Sequence, residues 1–396
     1  MKAHKRLLSL LLTAVLLTAT MVFSGGNVYA KAATVTNEAE FLLALGDSSV
    51  DTITVTGDIR LQDQTAIDRA LTIKGNGKIV TENLIVGTSG NLTVTESLNI
   101  ESVDNAIYIE GGTFTLSGNA TVNASDGVGV VALDFAGNRS AINVQGGSVY
   151  GGLNAISAFY SDINVTGGTI TGTSCGLALF SETKAKITGG TVHATGTSSE
   201  EAAILSDSSY IYISGTADIS ASTALATNLT SITIERTPSL KLSGSVYGVK
   251  EDGENIATYL TQLPKPVTAQ AGKTQSFSIV GADSGVKYKL SNPPSALKAS
   301  ISSNKVTLSP TKAGNYTLNL YYELSEGSSI RLILPVTVNA ASGTGSSGGT
   351  SSNTTSRPEN PETGALPMLP MLVFFGFAAL AAVGTIGYKA YAKRSR

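Results

Sequence analysis

Cysteine is nearly missing: the 396-residue chain has one, Cys175, so no intramolecular disulfide can staple the fold and packing alone must hold it. Histidine is scarce too, with only His4 and His193. Cysteine–histidine catalysis would therefore need His193 to meet Cys175 across neighbouring turns of the chain, and a small buried thiol is the simpler role. Tryptophan is absent, which removes the largest aromatic platform for a sugar. Positive charge is thin where a polyanion would need it. The first 30 residues and those beyond Thr363 hold seven of the 27 basic residues and none of the 29 acidic ones, so the part between carries 20 bases against 29 acids, net −9. That balance opposes nucleic acid as a partner. Between about residues 52 and 250 no helix-length amphipathic segment occurs, which points away from helical classes.

What is present starts at the two ends. The opening MKAHKRLLSLLLTAVLLTATMVFSGGNVYA places basic Lys2, Lys5 and Arg6 before an apolar stretch from Leu7 to Phe23, with small Val28 and Ala30 at a cleavage site. Residues 1–30 read as a secretory signal peptide. The alternative, an uncleaved membrane helix, fits the glycines and asparagine of SGGN less well. At the other end NPETG (360–364) precedes an apolar span from about Ala365 to Tyr388 and the basic end YKAYAKRSR. This order resembles the cell-wall sorting signal (LPxTG type) of Gram-positive surface proteins. The resemblance implies a sortase as processing partner and peptidoglycan as covalent acceptor. Pro361 would bend the motif into the enzyme's groove, Glu362 is the variable position, Thr363 becomes the acyl group and Gly364 leaves with the span. Asn360 stands where leucine is commonest, which leaves the sortase class open. A plain single-pass anchor is the competing reading. Residues 341–359, rich in glycine, serine and threonine, read as a flexible wall-spanning linker.

The middle of the chain repeats. SAINVQGGSV, SDINVTGGTI and TKAKITGGTV place the first glycine of each pair at 146, 167 and 189, spacings of 21 and 22, with looser copies around Gly111 and Gly215. Each repeat holds about three short alternating strands between glycine or polar turns. One such unit cannot bury its apolar face, whereas stacked coils point Ile, Val and Leu inward and Asn, Thr and Ser outward. A parallel β-helix over residues 31–250 follows, with roughly eight or nine coils at ~4.8 Å giving a rod of about 40 Å. Ile163 and Ile187 are expected inward at equivalent positions. TNEAEFLLALGD (36–47) reads as an amino-terminal helical cap, with Thr36 or Asn37 as N-cap, Phe41, Leu42 and Leu45 as apolar face and Gly46 as stop. Helix followed by rungs resembles the pectate-lyase-like right-handed β-helix superfamily, which contains enzymes and non-enzymes alike. After a linker at 251–263, longer strands over 264–340 are spaced as in an immunoglobulin-like β-sandwich, with Tyr316 of AGNYTLNLYY as a tyrosine-corner residue. The fold class is therefore all-β.

Chemistry has few footholds. The superfamily resemblance implies that a lyase would use a basic side chain to take a proton beside a uronate carboxylate, and from Glu101 to Thr230 there are three bases, Arg139, Lys184 and Lys186, against eleven acids. Lys184 and Lys186 flank an apolar strand and read as outward residues, leaving Arg139 as the candidate base. Asp134, Asp162, Glu182 and Asp207 fall near the end of the equivalent strand in successive coils. Stacking could set such carboxylates about 5 Å apart, near a retaining glycosidase pair, or make a calcium ladder. The competing reading is that turns collect Asp and Glu because they are solvated. Phe135, Phe159 and Phe180 beside them read as an internal aromatic stack rather than a sugar platform. No cofactor or structural metal is expected. The resulting expectation is an exported protein covalently held at the cell-wall surface, displaying a β-helix that binds a host, matrix or glycan ligand without catalysis; the alternative is a wall-anchored polysaccharide lyase or glycosidase.

Overall fold

The computed structural model describes residues 31–134, 136–197, 201–249, 255–258, 263–279, 288–323 and 328–341. The expected signal peptide, wall linker and sorting signal lie outside these residues, as does Phe135. Among the described residues no helix is long and apolar enough to cross a membrane.

Successive turns place one strand in a first parallel sheet and two strands in a second. The first sheet stacks ten strands, Lys31–Val35, Val50–Val55, Ala70–Gly75, Asn91–Val94, Thr113–Leu116, Ala141–Val144, Asp162–Val165, Lys184–Ile187, Tyr210–Ile213 and Ser231–Glu235. Alternation sets the faces: Val144, Val165, Ile187 and Ile213 form one inward column, at most 1% exposed, while Asn143, Asn164, Lys186 and Tyr212 form the neighbouring outward one. The rod has about ten turns rather than eight or nine. The extra count comes from Lys31–Val35, which pairs with Val50–Val55 ahead of the repeats the spacing revealed, and from Ser231–Glu235 beyond them.

One register expectation needs correcting. Ile163 and Ile187 both point inward, but Ile163 pairs with Ala185 and Ile187 with Val165. The slip is two residues, so the face survives and the position does not. Counting back from the Gly-Gly pair yields the true register. Within that pair the second glycine carries the left-handed backbone, φ 77° at Gly168 and 74° at Gly190. The first is excluded from bearing a side chain by its neighbour below: a Cβ on Gly189 would lie 2.3 Å from the Thr166 carbonyl.

The amino-terminal cap is a helix over Glu38–Gly46, with Asn37 as N-cap accepting the Glu40 amide at 3.1 Å. Glu40 reaches back to the Thr36 amide at 2.8 Å, satisfying a second free donor. Phe41 and Ala44 are buried and Leu45 packs against the core, but Leu42 is 45% exposed. The apolar face runs i, i+3, i+4 from Phe41, and Leu42 lies off it.

At the other end the rod does not stop at its last turn. Ser231–Glu235 pairs in parallel with the first half of Ser329–Asn339, Ile232 opposite Ile330 and Ile234 opposite Leu332. The second half of that strand pairs with Val267–Gln270, and Gly314–Glu323 runs antiparallel along its whole other edge. Pro335 sits between the two partners on the shared edge, where a missing N–H leaves no ladder bond unmade. Lys289–Ser291 completes this group, and a second sheet of Gln275–Ser278, Lys305–Leu308 and Ser300–Ser302 lies apart from it. Leu297, Val306, Leu318 and Leu334 continue the rod's hydrophobic core without a break. Within the stretch expected as a linker, Asn255–Thr258 folds back antiparallel on Lys241–Val249.

The seam is pinned by Arg236, which is 9% exposed. Its backbone N–H donates to Ile333 O at 2.8 Å, and its guanidinium donates to Leu240 O at 2.8 Å and Pro264 O at 3.0 Å, as well as to Thr237 O. A buried cation is tolerable here because backbone carbonyls replace its water. Burial still pushes its pKa below the ordinary arginine value.

Candidate functional site

The candidate residues gather where the second strand of the second sheet turns toward the next coil. Register fixes their order: Phe159 pairs with Phe180, and one coil on Asp207 pairs with Asn228. The acids do not form one column. Asp207 ends its strand, Asp134 follows the end of its own by one residue, Glu182 occupies the corner with φ 58°, and Asp162 opens the next strand in the first sheet. Carboxylates at four different points of the coil are not stacked neighbours, so the register does not line them up as a ladder. Among the described residues no three His, Cys, Asp or Glu side chains converge as metal ligands do.

Two of the candidates do meet. Arg139 donates from Nη2 to Asp162 Oδ1 at 3.1 Å and from Nε to Oδ2 at 3.4 Å. The same Nη2 donates to the carbonyls of Ser161 and Glu182, each at 3.0 Å. One guanidinium thus ties three successive coils through its Nε and Nη2 groups. A proton-abstracting base faces substrate, whereas Nε and Nη2 of Arg139 face the Asp162 carboxylate and two backbone carbonyls. Lys184 and Lys186 are both exposed on the outer face, as their spacing implied.

Asp207 has a different setting. Burial pushes its carboxyl above the ordinary aspartate range, opposed by a hydrogen bond from Ser208 Oγ at 2.9 Å. Asn228 Nδ2 adds a longer contact at 3.4 Å. The Phe159 and Phe180 rings stack at 4.8 Å with 19° between planes, both half-buried on the rod's flank. The two rings stack from rung to rung as expected, but they are not internal: part of each faces water.

Cys175 is 2% exposed, and burial raises its thiol to about 11. Thiolate is scarce at neutral pH under those conditions. His193 is engaged elsewhere, its Nδ1 lying 2.5 Å from Ser220 O. The outward ladder of Glu101, Asn123, Tyr150, Thr171 and His193 was not singled out by the sequence reading, although S-V-Y and T-V-H follow the Gly-Gly pairs in register.

Residues 32–169 match a family described as a pectate lyase-like adhesive domain, an assignment that family carries provisionally. The match covers the helical cap and the first turns of the rod. No curated protein matches the chain. Among solved structures, the crystal structure of InlP from Listeria monocytogenes is similar at 11% identity over 78% of this chain and 88% of that one, with a TM-score of 0.23.

Proposed function

We propose that this chain is an exported surface protein of a Gram-positive cell, anchored to peptidoglycan through Thr363, whose β-helix binds a ligand without transforming it. The observation that carries the binding role is the match of residues 32–169 to an adhesive β-helical family. The Arg139 knot supports it, because the one candidate lyase base serves as a tie between coils. The anchoring rests on the order of signal peptide, NPETG, apolar span and basic end.

In this reading the carboxy-terminal strands are an immunoglobulin-like strut between rod and wall. Supporting it, Tyr316 OH donates to Lys312 O four residues upstream at 3.0 Å, the bond of a tyrosine corner. The strut shares a sheet with the rod, so load entering at Asn339 reaches the last coil through a ladder of backbone bonds.

The test pairs location with adhesion. Thr363→Ala should move the protein from the fraction released by muramidase to the membrane fraction, while intact cells displaying the parent should adhere to immobilised matrix or glycan components. Equal wall attachment of the variant would refute the sorting motif. Absence of adhesion across the panel would refute the binding role.

A further inference from the structure

Three successive coils of the second sheet build a shallow depression on the rod's surface. Its lining is Asn99, Thr121, Val122, Asn123, Ser148 and Tyr150. The register stacks Asn99, Thr121 and Ser148 in one outward column and Glu101, Asn123 and Tyr150 in the next. Aromatic, amide and hydroxyl groups are therefore held within a coil or two of each other on a rigid sheet.

Most of the polar capacity is already used within the protein. Thr121 Oγ1 donates to Asn99 Oδ1 at 2.6 Å, and Asn99 Nδ2 donates to Glu101 Oε1 at 2.6 Å. Lys78 Nζ lies 3.5 Å from the other Glu101 oxygen, so the one carboxylate beside the depression is matched. Asn123 is the exception: its Oδ1 is buried and has no partner among the described residues. A buried acceptor left unmade is costly, and native structures keep such groups where something else completes them. Beside it Tyr150, on the adjoining coil, is 39% exposed, one of the few large apolar side chains so placed.

We infer that this depression is a subsite for a neutral glycan. A pyranose ring would lay its C–H face on Tyr150, as amphipathic rings accept ligands that are apolar on one side and hydroxylated at the edge. Turning the Asn123 amide would bring Oδ1 to the depression, where a sugar hydroxyl would donate to it, and the Ser148 hydroxyl offers a further partner. The matched charge selects against uronates, because no free cation among the lining residues would receive a carboxylate. Thr171 and His193 continue the Tyr150 column coil by coil, a track along the rod axis for further sugars. The subsite rests on the binding role proposed above and names its ligand class. It also lies within the segment that matches the adhesive family.

The experiment uses the full-length chain on arrays of neutral oligosaccharides (glucans, galactans, mannans and N-acetylhexosamine oligomers) beside pectate, alginate, chondroitin sulfate and immobilised matrix proteins. Binding to a neutral class is expected, with Tyr150→Ala and Asn123→Ala each weakening it at least tenfold and Tyr150→Phe retaining it. Tyr210→Ala, at an exposed tyrosine on the other sheet, should bind like the parent. Unchanged melting of each variant separates loss of the subsite from loss of fold. Neutral-glycan binding untouched by both alanine variants would overturn the subsite and leave the adhesive role standing. Binding to a matrix protein or an acidic glycan alone would overturn the ligand class in the same way. No retained ligand of any kind would overturn both.

Discussion

Replacing Ile163 by aspartate probes the whole coil register at one point. Ile163 is 2% exposed, paired with Ile142 on one side and Ala185 on the other, both within the core. Removing the aliphatic side chain forfeits about 1.5–3 kcal/mol of burial. The cavity cannot be refilled from Ala185, whose side chain is a methyl, so even Ile163→Ala should cost 2–5 kcal/mol by analogy with large-to-small core substitutions, about the same order as a domain's whole stability. The aspartate adds an unpaired charge with no donor facing it, a further penalty of several kcal/mol unless the group takes up a proton. In a stack each coil touches only its neighbours, so damage should spread from the coils holding residues 141–144, 162–165 and 184–187. Denaturant unfolding combined with hydrogen exchange is the assay, with Asn164→Asp as control on the outward face, expected within about 0.5 kcal/mol of the parent. An Ile163→Asp protein that melts like the parent, or an Asn164→Asp protein equally crippled, would refute the assignment of faces.

Other substitutions test the seam and the flank. Arg236→Ala strands the Pro264 and Leu240 carbonyls, and at about 1.5–3 kcal/mol per charged hydrogen bond it should uncouple the carboxy-terminal strands from the rod, read as a second unfolding transition; one unchanged transition would contradict the pinning role. Asp207 binds its proton more tightly folded than unfolded, so its contribution is most favourable below the ordinary aspartate pKa and declines as pH rises through the raised value. Asp207→Asn should abolish that decline and be no less stable at neutral pH, and identical pH slopes for parent and variant would refute it. Tyr288→Phe removes a buried hydroxyl that has no partner among the described residues and should stabilise by about 1 kcal/mol; a loss of that size would reveal a bond to the hydroxyl.

The rungs were legible because Gly-Gly recurs at a fixed interval and strand alternation has only two phases. Register within a rung was less so: Ile163 and Ile187 look alike as residue types, but backbone pairing counts from the corner glycine, where Ala185 is the partner. The junction was harder still, since Ser231–Glu235 and Ser329–Asn339 lie about a hundred residues apart and no local period links them. A signal existed in the shared S-I-x-[I/L] pattern of SITIE and SIRLI, which marks the same inward face twice. At the candidate site, chain spacing grouped the acids by proximity to strand ends, whereas a one-residue difference around a tight corner turns a side chain to another face. That Arg139 would reach across two coils is a matter of side-chain length and corner geometry that spacing does not encode.

The most direct measurement of the central claim follows binding and turnover on the same protein. Full-length chain is incubated with pectate, alginate, chondroitin and neutral glycans, with and without calcium, while retention, unsaturated products by ultraviolet absorbance and new reducing ends are recorded together. Retained ligand without product is the predicted result. Product formation that vanishes in Arg139→Ala would establish a lyase, product formation that vanishes in Asp162→Asn or Glu182→Gln would establish a glycosidase, and either would contradict a rod that binds without cleaving.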